Sequence, residues 1–161
     1  MKRLFALLFT VLLAACAAQA PLPVGLPTLA LPSQWHVERE QAGQREDALL
    51  IVQREDSALR WSMMDPLGIP QARQRLVDGQ WQADGLLPPN PQARELFAAL
   101  LFALTPEAEL ARRYPEARQQ GMLRQLGTRW VVDYRAAPRL ELQLPGGLHY
   151  RISPLDQGNR P

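Results

Sequence analysis

The sequence predicts an α+β fold in which an antiparallel β-sheet curls into an incomplete barrel around one buried apolar helix and a second short helix. Several segments alternate apolar and polar residues with a period of two, which is typical of antiparallel strands with one face in the core and one in water. Residues 91–104 are instead apolar on almost every side, and a helix of that kind must be buried. In a domain this small, a sheet has to curve to surround such a helix.

The chain begins with an export signal that ends in its only cysteine, Cys16. Lys2 and Arg3 precede the apolar run 4–13, and small residues follow, which are the three parts of a signal peptide. A cysteine directly after Leu13-Ala14-Ala15 is typical of bacterial lipoproteins, in which the thiol is acylated. An ordinary signal peptide with an incidental cysteine is the alternative.

Acylation of Cys16 predicts a protein anchored in a membrane. Two or three acyl chains hold a protein to a bilayer almost permanently, because each buried methylene contributes about 0.8 kcal/mol. Ala17, rather than aspartate, follows the cysteine, which favours the outer membrane, with the protein facing the periplasm. We therefore expect membrane lipid as a partner and the acyl and diacylglycerol groups of Cys16 as the only additions, with no other cofactor.

The chain that remains after cleavage is electrically neutral. Of its 18 basic residues, Lys2 and Arg3 leave with residues 1–15, so that 16 basic residues face 16 acidic ones. Neutrality disfavours nucleic acid, which requires a basic surface. The length fits one domain, which we place at residues 34–157 and expect to be monomeric, followed by a short tail at 158–161.

Residues 16–33 are rich in proline and precede the domain. Proline lacks an amide donor and fixes φ, so this segment is expected to be an extended, semi-rigid tether that holds the domain off the membrane. The alternative is that it packs along the domain, because Val24, Leu26, Leu29 and Leu31 are apolar.

Strands with one wet face are expected from Gln34 onwards. Alternating patterns occur at 59–63, 130–134, 140–144 and 148–152, and a further hairpin strand is expected at 69–77. Ala48–Val52 is a continuous apolar run, which predicts a strand covered on both faces. The strongest turn signal is Asp78-Gly79, because a two-residue type I′ turn needs positive φ at both positions.

Two helices interrupt the strands. Pro91–Leu104 has Asn90 as its predicted N-cap and proline at its first position, and it is the buried helix. Glu107–Tyr114 is a shorter amphipathic helix that is expected to turn Arg112 and Arg113 outward.

The sequence carries no pattern typical of an enzyme or of a metal site. None of its serines lies in a Gly-x-Ser-x-Gly motif, and no glycine-rich phosphate loop occurs. His36 and Glu38 would share one face of a strand, but two ligands do not complete a zinc site. We expect a non-enzymatic protein without a bound metal.

The apolar interior has two interpretations. One is a packed aromatic core. The other is a groove between sheet and helix that accepts an acyl chain, with the helix residues Leu96, Phe97, Leu100 and Leu101 as a lid that yields to the chain. The candidate groove and lid residues are Leu59, Trp61, Met63, Trp81, Leu96, Phe97, Leu100, Leu101 and Trp130.

This layout resembles the Lol-type lipoprotein carriers, and most of all the family of the outer-membrane receptor LolB. The resemblance rests on the acylated cysteine with its spacer, on residues 59–64 running into Asp65-Pro66-Leu67-Gly68, and on the strand and apolar helix that follow. It covers residues 45–104 and, more weakly, the strands after Gly121. Short proteobacterial lipoproteins of unknown function share the layout. This chain is shorter than the receptor, and its helical insert is small.

The resemblance implies a half-barrel carrier or receptor. In that family the leucine of the Pro-Leu-Gly turn lies at the tip of a protruding hairpin and helps to hand lipoproteins to the membrane, and here that position is Leu67. A lipoprotein or another acylated cargo, and a periplasmic carrier protein, are the partners it implies.

Two functions follow as expectations. The first is an outer-membrane lipoprotein whose groove binds acyl chains and receives or hands on a lipid or lipidated cargo. The alternative is a non-catalytic accessory lipoprotein that docks on a cell-envelope assembly or an envelope lipid biosynthesis system. The alternative predicts a sealed core and an exposed apolar patch.

Overall fold

The computed structural model describes residues 19–31 and 33–155. The predictions for the signal peptide, for Cys16 and for the tail at 158–161 lie outside these residues. The strands are β1 Ser33–Gln41, β2 Gln44–Glu55, β3 Ala58–Met64, β4 Pro70–Val77, β5 Gln80–Ala83, β6 Ala117–Gln120, β7 Leu123–Leu126, β8 Trp130–Asp133, β9 Leu140–Leu144 and β10 Leu148–Pro154. The helices are α1 Pro91–Leu104 and α2 Glu107–Arg113.

The ten strands form one antiparallel sheet in the order β5-β4-β3-β2-β1-β10-β9-β8-β7-β6. In the described part of the chain, β5 and β6 are its edges, so the sheet does not close on itself. The α+β class and the unclosed antiparallel sheet are thereby confirmed. None of the helices within these residues has the length and apolar character that a bilayer span requires.

Helix α1 forms where its flanking residues predict it. Asn90 Oδ1 accepts a hydrogen bond from the Ala93 N–H at 3.0 Å, and Pro91 occupies a first-turn position whose N–H needs no partner. The helix ends at Leu104, where the Thr105 N–H donates to the Phe102 carbonyl. Residues 96–103 are all buried.

The sheet curves around α1. Phe97 stacks on Trp61 of β3 with ring centroids 5.4 Å apart, and Phe102 lies 5.8 Å from Trp130 of β8. β3 and β8 are five strand intervals apart in the sheet order, which is about 24 Å in a flat sheet. A helix with its side chains is only about 10–12 Å wide, so it can contact both strands only if the sheet bends around it.

The sequence predictions for the strands and turns are confirmed at one turn and differ from the structure at several strands. Asp78 and Gly79 both have positive φ, at 48° and 73°, so this turn is confirmed. The prediction that Ala48–Val52 is covered on both faces is wrong. Ala48, Leu50 and Val52 are buried, but Leu49 and Ile51 on the other face of β2 are only half-buried. No alternating pattern was identified for β5, β6 or β7, because each is four residues long and has at most two apolar residues.

Residues 19–31, which we call the strap, pack against the domain. Ala20, Leu22, Leu26, Leu29 and Leu31 contact the core, and Pro27 is buried. The expectation of a free spacer is therefore wrong for these residues, and the alternative that they lie along the domain is correct. The prolines favour an extended backbone, and the leucines between them pack against the apolar core of the domain.

Candidate functional site

The predicted groove residues form a packed interior. Of the nine, seven are almost fully buried: Leu59, Trp61, Leu96, Phe97, Leu100, Leu101 and Trp130. Met63 and Trp81 are half-buried at the margin of the same core. Trp81 lies 6.1 Å from Trp61 and 6.0 Å from Phe97 between ring centroids, so these three rings form one cluster. The packed-core interpretation fits these side chains, and α1 fills the space in which we expected a groove.

A small cavity of about 180 Å³ remains between the sheet and the start of α1, where its walls include Met63 and Leu96. Three larger cavities adjoin the strap. A cavity of about 530 Å³ lies between the start of the strap, the β4–β5 turn and the first turn of α1, and its walls include Gln19, Leu22, Gln80 and Trp81. A second cavity, of about 300 Å³, lies between Leu22, Leu26 and Leu76.

A third cavity, of about 380 Å³, lies on the opposite side of the strap. Its walls include Leu22, Val24, Tyr114 and residues 126–129, which are the end of β7 and the β7–β8 turn. Leu22 lines all three cavities. The strap crosses a space that we call the gap. On one side the gap is bounded by the β4–β5 turn, and on the other by residues 113–116 and the β7–β8 turn. The strap occupies the gap where the sheet fails to close.

Helix α2 holds the middle of the strap. The Val24 N–H donates to the Arg113 carbonyl at 2.8 Å, and the Arg113 guanidinium donates back to the Val24 carbonyl at 2.9 Å. The Thr28 N–H donates to Glu109 Oε1 at 3.3 Å, and Glu109 also pairs with Arg113 at 2.9 Å. Arg113 therefore points to the strap and not outward as predicted. The hydrogen bonds from Thr28 and Arg113 lower the pKa of Glu109 to about 2.

Gly25 allows this close approach. Its φ is +69°, and a Cβ at this position would lie 2.7 Å from Arg113 Nη1. Residues with a side chain rarely adopt this backbone conformation, and a Cβ at this position would push against the guanidinium.

A charged pair at the N-terminal part of α1 forms one wall of the gap. Glu95 accepts hydrogen bonds from Arg129 and from Trp130 Nε1, all at 2.7 Å. Burial alone would raise the pKa of Glu95, but the hydrogen bonds from Arg129 and Trp130 offset it, and the pKa lies below its ordinary value. This pair ties α1 to β8 on the side of the gap that borders the 530 Å³ and 380 Å³ cavities.

The β3–β4 hairpin has a rigid apolar tip. Asp65 Oδ1 accepts hydrogen bonds from the N–H groups of Leu67 at 2.9 Å and Ile69 at 2.8 Å, and Gly68 has a φ of +83°. Leu67 is 86% exposed and Ile69 is 58% exposed. Leu67 thus has the exposed tip position that the family resemblance implied. Ile69 was missed, because a strand was expected to start there.

A third feature lies on the solvent side of the sheet. His36, Glu38 and Asp47 place one ligand atom each within 4.8 Å of one another. The sequence analysis missed Asp47 because β2 brings it beside β1. His36 Nε2 and Asp47 Oδ1 are 2.9 Å apart, and Glu38 pairs with Arg45 at 2.6 Å. Asp47 is thus hydrogen-bonded to His36, and Glu38 is paired with arginine.

The sequence patterns did not predict the strap or the two α2 residues that hold it, Glu109 and Arg113. Leu22, Glu109 and Arg113 come from segments far apart in sequence, and only the apolar residues among the prolines hinted at packing. No protein-family model matches this chain, and no curated protein matches it either.

Proposed function

We propose that this protein is an outer-membrane-anchored periplasmic lipoprotein that binds an acyl chain in the gap and receives or hands on a lipid or lipidated cargo. It acts as a half-barrel of the Lol type, with its anchor on Cys16 and without catalysis. The observation that supports this proposal is that the unclosed sheet is bridged by a non-sheet, apolar segment around which three cavities meet at Leu22. The largest of these three cavities, of about 530 Å³, falls within the range of about 300–1,000 Å³ that is usual for small-ligand pockets.

An acyl chain competes energetically with the strap. The four strap leucines, at 22, 26, 29 and 31, are half-buried. Full burial of one leucine contributes about 1.5–3 kcal/mol, so half burial of four contributes about 3–6 kcal/mol. A palmitoyl chain contributes about 11 kcal/mol when all of its methylenes are buried, at about 0.8 kcal/mol for each. Burial of half of such a chain therefore offsets the loss of the strap's apolar contacts.

The hairpin tip supports delivery to a membrane. Leu67 and Ile69 present apolar surface on a turn that Asp65 holds in one conformation, so insertion into lipid costs little ordering entropy. The tip then contacts the membrane while the gap holds the acyl chain. A periplasmic carrier protein would present the cargo.

A second candidate function is favoured by the filled interior. Trp61, Phe97 and Trp130 are fully buried in the space between sheet and helix, and the cavity that remains there has only about 180 Å³. Leu86 and Met122 are exposed besides the hairpin tip, as a docking protein would require. In this case the protein is an accessory lipoprotein of a cell-envelope assembly.

Displacement of a fluorescent fatty acid tests the first proposal. The protein is residues 16–161 with Cys16→Ser, which keeps every described residue. Gln80 is exposed and lines the 530 Å³ cavity, so Gln80→Trp narrows the cavity and is expected to weaken binding. Gln82→Trp changes an equally exposed glutamine on the same strand outside this cavity and is the control. The absence of saturable binding in the unsubstituted protein would favour the accessory function.

A further inference from the structure

We infer that the strap is a releasable gate: it leaves the gap when an acyl chain enters, and its release is what frees the hairpin tip to turn toward the membrane. This inference rests on the proposed function, whose site it regulates. It assigns a role to Leu22, Gly25 and Arg113 that nothing in the sequence pattern had indicated.

The strap is attached in a way that allows release. It forms no strand, and among the described residues a single backbone hydrogen bond, from Val24 to Arg113, ties it to the domain. Its other polar contacts come from the side chains of Arg113 and Glu109 on one short helix. The strands around it are instead held by continuous ladders, as β1 is on both sides by β2 and β10. The strap can therefore detach without breaking the sheet.

The strap occupies the gap with the same chemistry that an acyl chain offers. Leu22 forms part of the wall of all three cavities and Leu26 part of the wall of the 300 Å³ cavity, so an acyl chain that fills these cavities contacts the apolar surface against which the strap packs. Because these leucines and an acyl chain need the same apolar surface, binding of the chain and docking of the strap exclude each other. Exchange of one apolar occupant for another also avoids exposing the core to water.

Release of the strap changes the reach of the anchor. Three residue steps separate Cys16 from Gln19, so a docked strap keeps the anchor within about 11 Å of Gln19, at the wall of the 530 Å³ cavity. The β4–β5 turn that shares this cavity lies at one end of β4, and the hairpin tip lies at the other, about 26 Å away along eight residues. A released strap leaves 17 steps between Cys16 and Ser33, or about 53 Å of extended proline-rich chain.

The decisive variants are a matched pair of glycines. Gly25→Ala strains a φ of +69° and forces a Cβ against Arg113, so it favours the released strap. Gly43→Ala strains a similar φ of +77° in the β1–β2 turn, where nothing lies within 4 Å of the new Cβ. Left-handed backbone strain of this size corresponds to about a 5- to 30-fold change in an equilibrium. We expect Gly25→Ala to tighten binding of fluorescent palmitate by this factor and Gly43→Ala to leave it unchanged.

Hydrogen exchange on the unsubstituted protein gives a second readout that needs no variant. Palmitate is expected to abolish the protection of the Val24 amide while the β1 amides stay protected. Equal palmitate affinity in the two glycine variants, or a Val24 amide that stays protected at saturating palmitate, would overturn the gate. If no form binds palmitate saturably, the proposed function itself has failed, and the two failures are thus distinguishable.

The acylated protein tests the second consequence of release. Acylation consumes Cys16, the sole cysteine, so Leu67→Cys provides a unique thiol for an environment-sensitive fluorophore. In liposomes of phosphatidylethanolamine and phosphatidylglycerol, the blue shift of this probe is expected to be larger with Gly25→Ala than with Gly43→Ala. Equal shifts would show that release of the strap does not free the tip.

Discussion

Under the proposed function, Leu67→Glu is expected to separate binding of an acyl chain in the gap from its delivery to a membrane. Leu67 is 86% exposed, and its main chain rather than its side chain holds the turn together through Asp65. A carboxylate at this position therefore leaves the fold intact, and we expect a free energy of unfolding within about 0.5 kcal/mol of the unsubstituted protein. Binding of palmitate in the gap should also be unchanged.

The size of the effect on delivery follows from the exposed fraction. Full burial of a leucine contributes about 1.5–3 kcal/mol, so insertion of the exposed part of Leu67 into lipid contributes about 1.3–2.6 kcal/mol. Its loss corresponds to about a 10- to 80-fold decrease in the rate or extent of transfer. The negative charge adds to this loss, because a carboxylate must be desolvated to enter lipid.

The assay is transfer of a fluorescent acylated peptide from the protein to liposomes. Leu86→Glu is the control, because Leu86 is also a fully exposed leucine but lies in the β5–α1 loop. We expect Leu67→Glu to abolish most of the transfer and Leu86→Glu to preserve it. Equal transfer by the two variants would refute a role of the tip, and a large fall in Tm for Leu67→Glu would show that its side chain is buried.

Three further outcomes test the structure. Arg124→Met should lower the free energy of unfolding by about 2–4 kcal/mol in urea titrations, because the buried guanidinium donates hydrogen bonds to three carbonyls at the end of α1, those of Phe102, Ala103 and Thr105. Arg118→Met, at an exposed position of β6, is the control, and an equal effect of the two substitutions would contradict this role. Phe97→Ala should cost about 3–5 kcal/mol if Phe97 is packed core, and much less if it faces an open groove. The lowered pKa of Glu109 means that its stabilisation of the strap is present above its ordinary pKa of 4.5 and is lost as the pH falls toward about 2. Protection of the Val24 amide should therefore fall over this range in the unsubstituted protein and stay low throughout in Glu109→Gln, and parallel pH profiles would contradict the contact.

Local signals were sufficient for much of the fold. Asn90-Pro91 and the apolar run after it place α1, since capping and burial are set by neighbouring residues. The Asp78-Gly79 turn is likewise decided by two backbone conformations. The alternation in β3, β9 and β10 predicts which face of each strand enters the core.

The parts that could not be predicted depend on distant partners. In β7, Arg124 is buried and Leu123 is exposed, the reverse of what hydrophobicity suggests, because the carbonyls at the end of α1 require a donor at that point. The sequence of the strap is typical of a tether, and only the folded structure shows that Arg113 and Glu109 bind it to the domain. The candidate site is made almost entirely of such long-range contacts, so the sequence alone pointed to the interior instead.

The pairing of β1 with β10 couples the start of the domain to its end. Trp35 pairs with Pro154 and Glu40 with His149, so the centre of the sheet consists of strands separated by more than a hundred residues. Contacts of such high sequence separation form slowly. The sheet cannot be completed until β10 is available, because β10 lies between β1 and β9. A chain that crosses a membrane unfolded would therefore remain unfolded until its carboxyl end has crossed. The topology thus makes completion of the sheet depend on the carboxyl-terminal strand.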